Sequence, residues 1–394
     1  MDTLAVGRTR LFGSLCGLVF LVNLARIVFA PLLSVFIDQF AIGEGTAGLI
    51  VTLAWVGSAS LRLPTGWILT RVPRHYVVLA SGVILTIASA IAATSVTVVQ
   101  LMVGAFLMGL ASGVYFVSAN PLLSELYPKR VGRVMGIHGT ASQVAAVIAA
   151  PFVAVTLLVD WRLSLWAIAA ASAIVTAYTW LAARRTDLPT AGTADRDLLG
   201  AAKTEWRIIA TAVVLIGAIA FVWQGLFNFY ELYMEAKGLS SGMASTLLTL
   251  VFVAGVPAFF FGGDLADRLP HVPYLIGIVL AFSTCLLVLT IVGSVPAIVI
   301  MTTLIGFVIH TAFPAVDTYL LDTLPDVTRG SAYAMFSSIA MLVQAAGSSA
   351  TGYVIEAGYT YDAVFGAAAA VLILIGLGLF AVDRAGYLPG ESSA

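Results

Sequence analysis

Charge is what this sequence has least of. Among 394 residues there are 19 Lys or Arg and 20 Asp or Glu, so charged side chains make up 10% of the chain, against about 25% in ordinary soluble domains. So few charges cannot clothe a water-soluble fold of this length, which argues against a two-domain cytosolic enzyme. The formal net charge is −1, and nucleic-acid binding needs a basic surface that is missing here. Cysteine is as sparse: Cys16 and Cys285 stand alone in apolar runs and form no spacing motif for a disulfide framework or a zinc site. Also missing are a phosphate-binding loop, His-Glu-x-x-His, Gly-x-Ser-x-Gly and clustered carboxylates. No catalytic residue, metal or cofactor is therefore expected, and primary transport driven by ATP is excluded for this chain alone. What the chain has in excess is apolar surface: 60% of its residues are hydrophobic and its mean hydropathy is +1.03. That is far too apolar for disorder and leaves a polytopic membrane protein made of helices.

A bilayer crossing needs about 20 mostly apolar residues. Twelve such runs can be read, at 11–37, 46–70, 75–95, 98–122, 132–157, 161–184, 207–236, 241–265, 272–293, 295–322, 330–355 and 360–383. The first is too long for a cleaved signal peptide and carries Arg26 in its middle. One connection is long and polar. It divides the chain into an N-terminal six-span bundle (1–184), a cytoplasmic linker (185–206) and a C-terminal six-span bundle (207–394). With both termini inside, only Arg162 and Lys237 of the 19 basic residues fall outside, and Arg26 and Arg62 fall within spans. The positive-inside rule thus predicts a protein of the cytoplasmic membrane with both termini in the cytoplasm.

The two halves repeat. Shifted by 197 residues, Gly66-Trp-Ile-Leu-Thr-Arg71-Val-Pro73 falls on Gly263-Asp-Leu-Ala-Asp-Arg268-Leu-Pro270, and Glu125-Leu-Tyr-Pro128 falls on Asp322-Thr-Leu-Pro325. After one inserted residue Gly132 meets Gly330, each opening the fifth span of its half. Internal repeats of this kind mark transporter folds, with substrate bound between the halves near the bilayer midplane.

Gly263-Asp264-Leu265-Ala266-Asp267-Arg268 resembles the loop signature of the major facilitator superfamily; in the first-half copy Thr70 stands where the signature has Asp. The resemblance extends through the twelve spans, the central loop and the repeat. It implies an all-α membrane protein of two pseudo-symmetric six-helix bundles around a central cavity, transporting by alternating access. A shorter stretch, Leu61-Arg62-Leu63-Pro64-Thr65-Gly66, is similar to the second span of the nitrate/nitrite porters. Its second-half counterpart has Phe259 or Phe260 where those porters carry another Arg, and their Gly-Asn-rich signature is missing from spans 5 and 11.

Ionisable groups inside a membrane are costly and are functional candidates by default. Arg26 lies about 22 Å from the inner end of the first span at ~1.5 Å per residue, with Asn23 one turn earlier on the same face. Arg62 sits about 12 Å deep in the second span by the same rise, on a face with Ser58 and Trp55. No Asp or Glu occurs in the apolar interior of spans 1 to 6. A guanidinium fork suits an oxyanion; the alternative is that each Arg bonds backbone carbonyls or a second-half acid and locks helices. In the seventh span Gln224, Asn228, Glu231 and Glu235 follow at helical spacing on one face, which is expected to line the cavity, with Gln224 and Asn228 as substrate-binding candidates and the glutamates at the outer mouth. The alternative is a face capped by headgroups and water, and Trp223 stands at the repeat position of Arg26. In the tenth span Gly306, His310, Pro314 and Asp317 share a face, where His310 and Asp317 are candidates for proton coupling; equally, His310 can be a satisfied structural donor and Asp317 a counter-ion for Arg62. Gln143 and Gln344 sit near mid-depth as further substrate-binding candidates, and His138 is read as structural.

At the cytoplasmic end the repeat pairs Arg71 with Glu125 and Arg268 with Asp322, while Asp267 faces the N-terminus of the span opening at Gly132, where the helix dipole favours an anion. Together they read as a gate latch; the plainer alternative is positive-inside topology with no switching. Gly109-x-x-x-Gly113 and Ser348-x-x-x-Gly352 read as close helix contacts, and Pro31, Pro64, Pro121, Pro257 and Pro314 as local breaks. The expected function is secondary transport of a small solute, an anion by the two arginines, with a coupling proton or counter-transported ion and no partner beyond substrate and lipid; a monomer is expected. The alternative is a proton-coupled exporter of hydrophobic compounds, which explains the Phe-rich walls and leaves two buried arginines unexplained.

Overall fold

The computed structural model describes residues 3–186, 188, 198–325 and 327–389; the expected linker at 185–206 lies partly outside them. The first half comprises α1 (Thr3–Ile27), α2 (Leu33–Phe40), α3 (Glu44–Ser60), α4 (Arg62–Ile68), α5 (Arg74–Ala93), α6 (Val98–Leu126), α7 (Val131–Thr156) and α8 (Arg162–Ala183). The second comprises α9 (Leu198–Thr204), α10 (Trp206–Ala212), a π-helical turn (Val213–Gly217), α11 (Ala218–Asn228), α12 (Tyr230–Ala236), α13 (Ser241–Ala266), α14 (His271–Ile291), α15 (Val295–Thr323), α16 (Arg329–Glu356) and α17 (Tyr361–Arg384). Among the described residues twelve helical stretches are long and apolar enough to cross a membrane, in agreement with the twelve expected spans.

The repeat reaches into the backbone. Helices open at 33 and 230, 44 and 241, 74 and 271, and 98 and 295, every pair 197 residues apart. Caps follow the same register. Pro73 and Pro270 precede α5 and α14, and Thr97 and Ser294 precede α6 and α15. Ala41, which closes α2 in the left-handed region at φ 49, has Gly238 at φ +87 as its counterpart.

Three expected spans are not single helices. The first ends at Ile27 and resumes at Leu33, the second is interrupted at Leu61, and the seventh at Phe229. Pro31 and Pro64 account for the first two, because each removes a backbone donor and crowds the preceding turn. No proline explains the break at Phe229, which repeats the first-span break at Leu32. It also interrupts the continuous face expected for Gln224, Asn228, Glu231 and Glu235. Pro121, Pro257 and Pro314 were expected to break spans as well; they sit inside unbroken α6, α13 and α15. Near two of them side chains use the local carbonyls, Ser124 Oγ donating to Pro121 O at 2.8 Å and Thr318 Oγ1 to Pro314 O at 2.9 Å.

The chain forms two compact units, Met1–Ile42 with Leu49–Asp195, and Gly43–Gly48 with Arg196–Ala394. In the first unit α1 packs on α6, α7 and α8, and α5 on α6 and α8. In the second unit α14 packs on α15 and α17, α11 on α16, and α13 on α15. The expected close contact at Gly109 and Gly113 is present. A Cβ at these positions would stand 1.8 Å from Ala54 O and 2.2 Å from Ser58 O, so α6 meets α3 backbone to backbone. Gly306 repeats this on α15, with Val251 O 2.4 Å from the missing Cβ.

Candidate functional site

In the first unit the interrupted spans bring two arginines together. Arg26 occupies the last turn of α1, where the free carbonyls of a helix end favour a cation. Its guanidinium Nη2 donates to Asn23 Oδ1 at 2.6 Å, and Asn23 Nδ2 donates to Ser142 O on α7 at 2.7 Å. Asn23 therefore uses both ends of its amide to fix the guanidinium. Trp55 and Phe116 present their ring faces to Arg26 at 4.7 and 5.3 Å, a cation–π arrangement. The side chain is 7% exposed, yet among the described residues it forms no ion pair. Arg26 Nε and Trp55 Nε1 are both buried donors with no hydrogen-bond partner. Arg62 opens α4 after the break at Leu61 and lies near enough for the two positive charges to repel.

The corresponding positions of the second unit hold different chemistry. At the shift of 197, Arg26, Trp55, Arg62 and Phe116 become Trp223, Phe252, Phe259 and Phe313. These four rings surround His310, with centroids 6.1, 5.7, 5.9 and 6.0 Å from the imidazole. His310 takes the place of Gly113, and Gly255 takes the place of Ser58. A Cβ on Gly255 would be 2.6 Å from the imidazole, so the glycine makes the room the histidine fills. His310 Nδ1 is 2.6 Å from Gly306 O. A carbonyl only accepts, so Nδ1 carries the proton, and Nε2 of the neutral ring is an acceptor. Asp317 accepts from Tyr333 at 2.7 Å; the structure does not bring it into contact with His310.

Beside this cluster runs an amide network. Gln344 Nε2 donates to Gln224 Oε1 at 2.9 Å, and Asn228 Nδ2 donates to Ser348 Oγ at 2.9 Å. Gln224 is 0% exposed, and its Nε2, like Asn228 Oδ1, is buried without a partner. Gln143 is half-buried on α7, next to the Ser142 carbonyl that holds Asn23. His138 meets Tyr115, whose hydroxyl donates to Leu15 O at 2.6 Å and lies 2.9 Å from His138 Nε2. The single hydroxyl proton is spent on Leu15, so Nε2 must donate to it. An apolar groove of the second unit, lined by Leu265, Pro273, Tyr274 and Phe307 among others, includes none of these residues.

The gate pairs need correction. Glu125 Oε1 is bound by Arg74 Nη1 at 2.6 Å, while the expected partner, Arg71, lies 3.8 Å from the centre of the Trp67 ring. Asp322 Oδ2 is 3.2 Å from His271 Nε2, while Arg268 binds Asp264 at 2.7 Å one turn back along its own chain. The cause is the start of the next helix. Residues 74 and 271 open α5 and α14 on the faces that pack against α6 and α15, whereas 71 and 268 lie in the preceding turns. Arg74 and His271 are themselves 197 apart, as are Glu125 and Asp322, so the repeat held the answer. Asp267 is the residue that closes α13. Other contributors passed over in the sequence are Phe116, whose repeat to Phe313 was a usable signal, and Tyr115, for which no sequence signal existed.

The sequence pattern of the Major Facilitator Superfamily matches residues 15–290 and 232–392. No curated protein sequence matches the chain. Among solved structures, a bacterial homologue of the human lysosomal transporter Spinster, in an inward-facing and unoccupied conformation, superposes with a TM-score of 0.80 at 15% identity over 98% of this chain and 99% of its own. A structure of such a homologue in the inward-facing and occupied conformation gives 0.82 at 16% identity over 100% of both chains.

Proposed function

Because the chain belongs to the Major Facilitator Superfamily, and is accordingly a multi-pass membrane transporter and not an enzyme, we propose that its cargo is a small organic anion moved by alternating access. One observation carries the reading: Arg26, buried and oriented by Asn23, has no acid to pair with among the described residues, and an unmet donor of Trp55 lies beside it. A cation held at such depth costs at least ~2.5 kcal/mol on insertion scales, and the proximity of Arg62 adds to that cost. An arriving oxyanion offsets both, and a fork of guanidinium donors matches its geometry. The ring faces of Trp55 and Phe116 favour an anion with an apolar body over a bare inorganic ion.

The skew of Lys and Arg supports placement in the cytoplasmic membrane with both termini inside. His310, whose Nε2 is an acceptor in the neutral ring, remains the candidate for a coupling proton, and Asp317, which accepts from Tyr333, the second. Export of hydrophobic compounds is a second reading, favoured by the aromatic shell around His310. Uptake into proteoliposomes separates the two. Organic carboxylates are expected to be carried and to compete with one another, while lipophilic cations are not. Transport of lipophilic cations with no inhibition by carboxylates would sink the anion reading.

A further inference from the structure

The two corrected pairs differ in one chemical respect. In the first unit the start of α5 is tied to the end of α6 by Arg74 and Glu125, and a guanidinium keeps its charge at every physiological pH. At the repeat position the start of α14 is tied to the end of α15 by His271 and Asp322. Imidazole is the side chain that gains or loses its charge between about pH 5 and pH 8. The contact is an ion pair when the ring is protonated, and at best a hydrogen bond from a neutral ring when it is not. His271 is 7% exposed and Asp322 60%, so the pair meets solvent at its carboxylate. Among the described residues, the elements that adjoin or pack on α14 bring further charged or titratable groups to this end: Tyr319 on α15, Asp264, Asp267 and Arg268 at the close of α13, Asp383 and Arg384 at the close of α17, and Tyr274 on α14 itself. Arg268 is engaged by Asp264 at 2.7 Å, and Tyr274 donates to Gly262 O at 3.2 Å. The Tyr319 ring lies edge-on to the imidazole at 6.4 Å.

We propose that His271 is a pH-responsive positioning residue: paired with Asp322 it anchors the turn between α13 and α14, and that anchor loosens as the pH on its side rises, while the Arg74 anchor of the first unit does not. The turn carries Asp267 and Arg268, so the anchor sets the part of the second unit that bears the superfamily loop signature. That the pH in question is cytoplasmic rests on the orientation proposed above.

Hydrogen exchange of the purified full-length protein tests the switch without a substrate. Compared with His271→Arg at the same pH, amides of 264–275 in the wild type should exchange equally at about pH 5.5 and about two- to fivefold faster at about pH 8.5, the range open to a partly exposed pair. Asp322→Asn gives an independent comparison. It should exchange faster than wild type at low pH and converge with it at high pH. Arg74→His should add a matching pH dependence at the start of α5. Ratios that do not change with pH in either comparison would overturn the proposal. In proteoliposomes His271→Arg should remove a pH dependence of transport felt from the cytoplasmic side. If transport instead responds to pH on the opposite side only, with the exchange result intact, the orientation is wrong and the switch stands.

Discussion

Arg26→Ala is expected to abolish binding of an anionic substrate, by about 100-fold or more, the scale set by truncating one partner of a buried charge pair. The protein should still insert, because the change removes a charge the membrane disfavours. Arg26→Lys should also bind weakly, by about tenfold, since a single ammonium keeps the charge and loses the fork that Asn23 orients. The competing account makes Arg26 a lock paired to an acid such as Asp317 or Glu231. On that account Arg26→Ala lowers the melting temperature, and removing the acid as well restores part of it. Melting temperatures and binding measured for Arg26→Ala, Asp317→Ala and the double variant separate the two. Rescue of stability by the second change would argue for the lock.

Gly109→Ala should be among the most damaging single substitutions in the first unit. The added methyl would meet Ala54 O at 1.8 Å, with a helix backbone on both sides of the clash. Neither backbone can swing away as a side chain would, so α3 and α6 must separate. Overpacking of this kind costs typically 1–3 kcal/mol and more where nothing gives. Gly306→Ala, 2.4 Å from Val251 O, should repeat the effect in the second unit. Gly136→Ala is the control. Nothing lies within 4 Å of its missing Cβ, and alanine is the better helix former by about 1 kcal/mol. Thermal unfolding should therefore rank Gly109→Ala well below wild type and Gly136→Ala level with it or above. Equal stability of the two variants would show that α6 and α3 are not in backbone contact.

The scale of the fold was legible because lipid imposes it. Long apolar runs have few alternatives, and the repeat at 197 located corresponding helices to the residue. Helix interruptions were legible in part. Pro31 and Pro64 announce theirs, but Pro121, Pro257 and Pro314 carry the same sequence signal inside continuous helices, since neighbouring groups decide whether a freed carbonyl can be satisfied. At the gate the signature arginines lie three residues before the residues that make the contacts, because contact depends on which residue opens the next helix against its partner. At the candidate site Arg26, Asn23 and Arg62 were visible as costly groups at depth. Trp55 and Phe116 were not assigned to Arg26, because spacing along one helix says nothing about which face of another it meets. The exchange of Gly113 and Ser58 for His310 and Gly255 becomes apparent only when packing and repeat are considered together.

A set of probes built on one aromatic skeleton, bearing in turn a carboxylate, a neutral amide and an ammonium, asks the protein which charge it accepts. Purified wild-type protein is expected to gain thermal stability with the carboxylate alone, as binding to the folded state requires, and Arg26→Ala should lose that gain while keeping its unliganded melting temperature. Equal stabilisation by the amide or the ammonium, or a carboxylate gain that survives Arg26→Ala, would contradict the assignment of Arg26 as the anion-binding residue of this transporter.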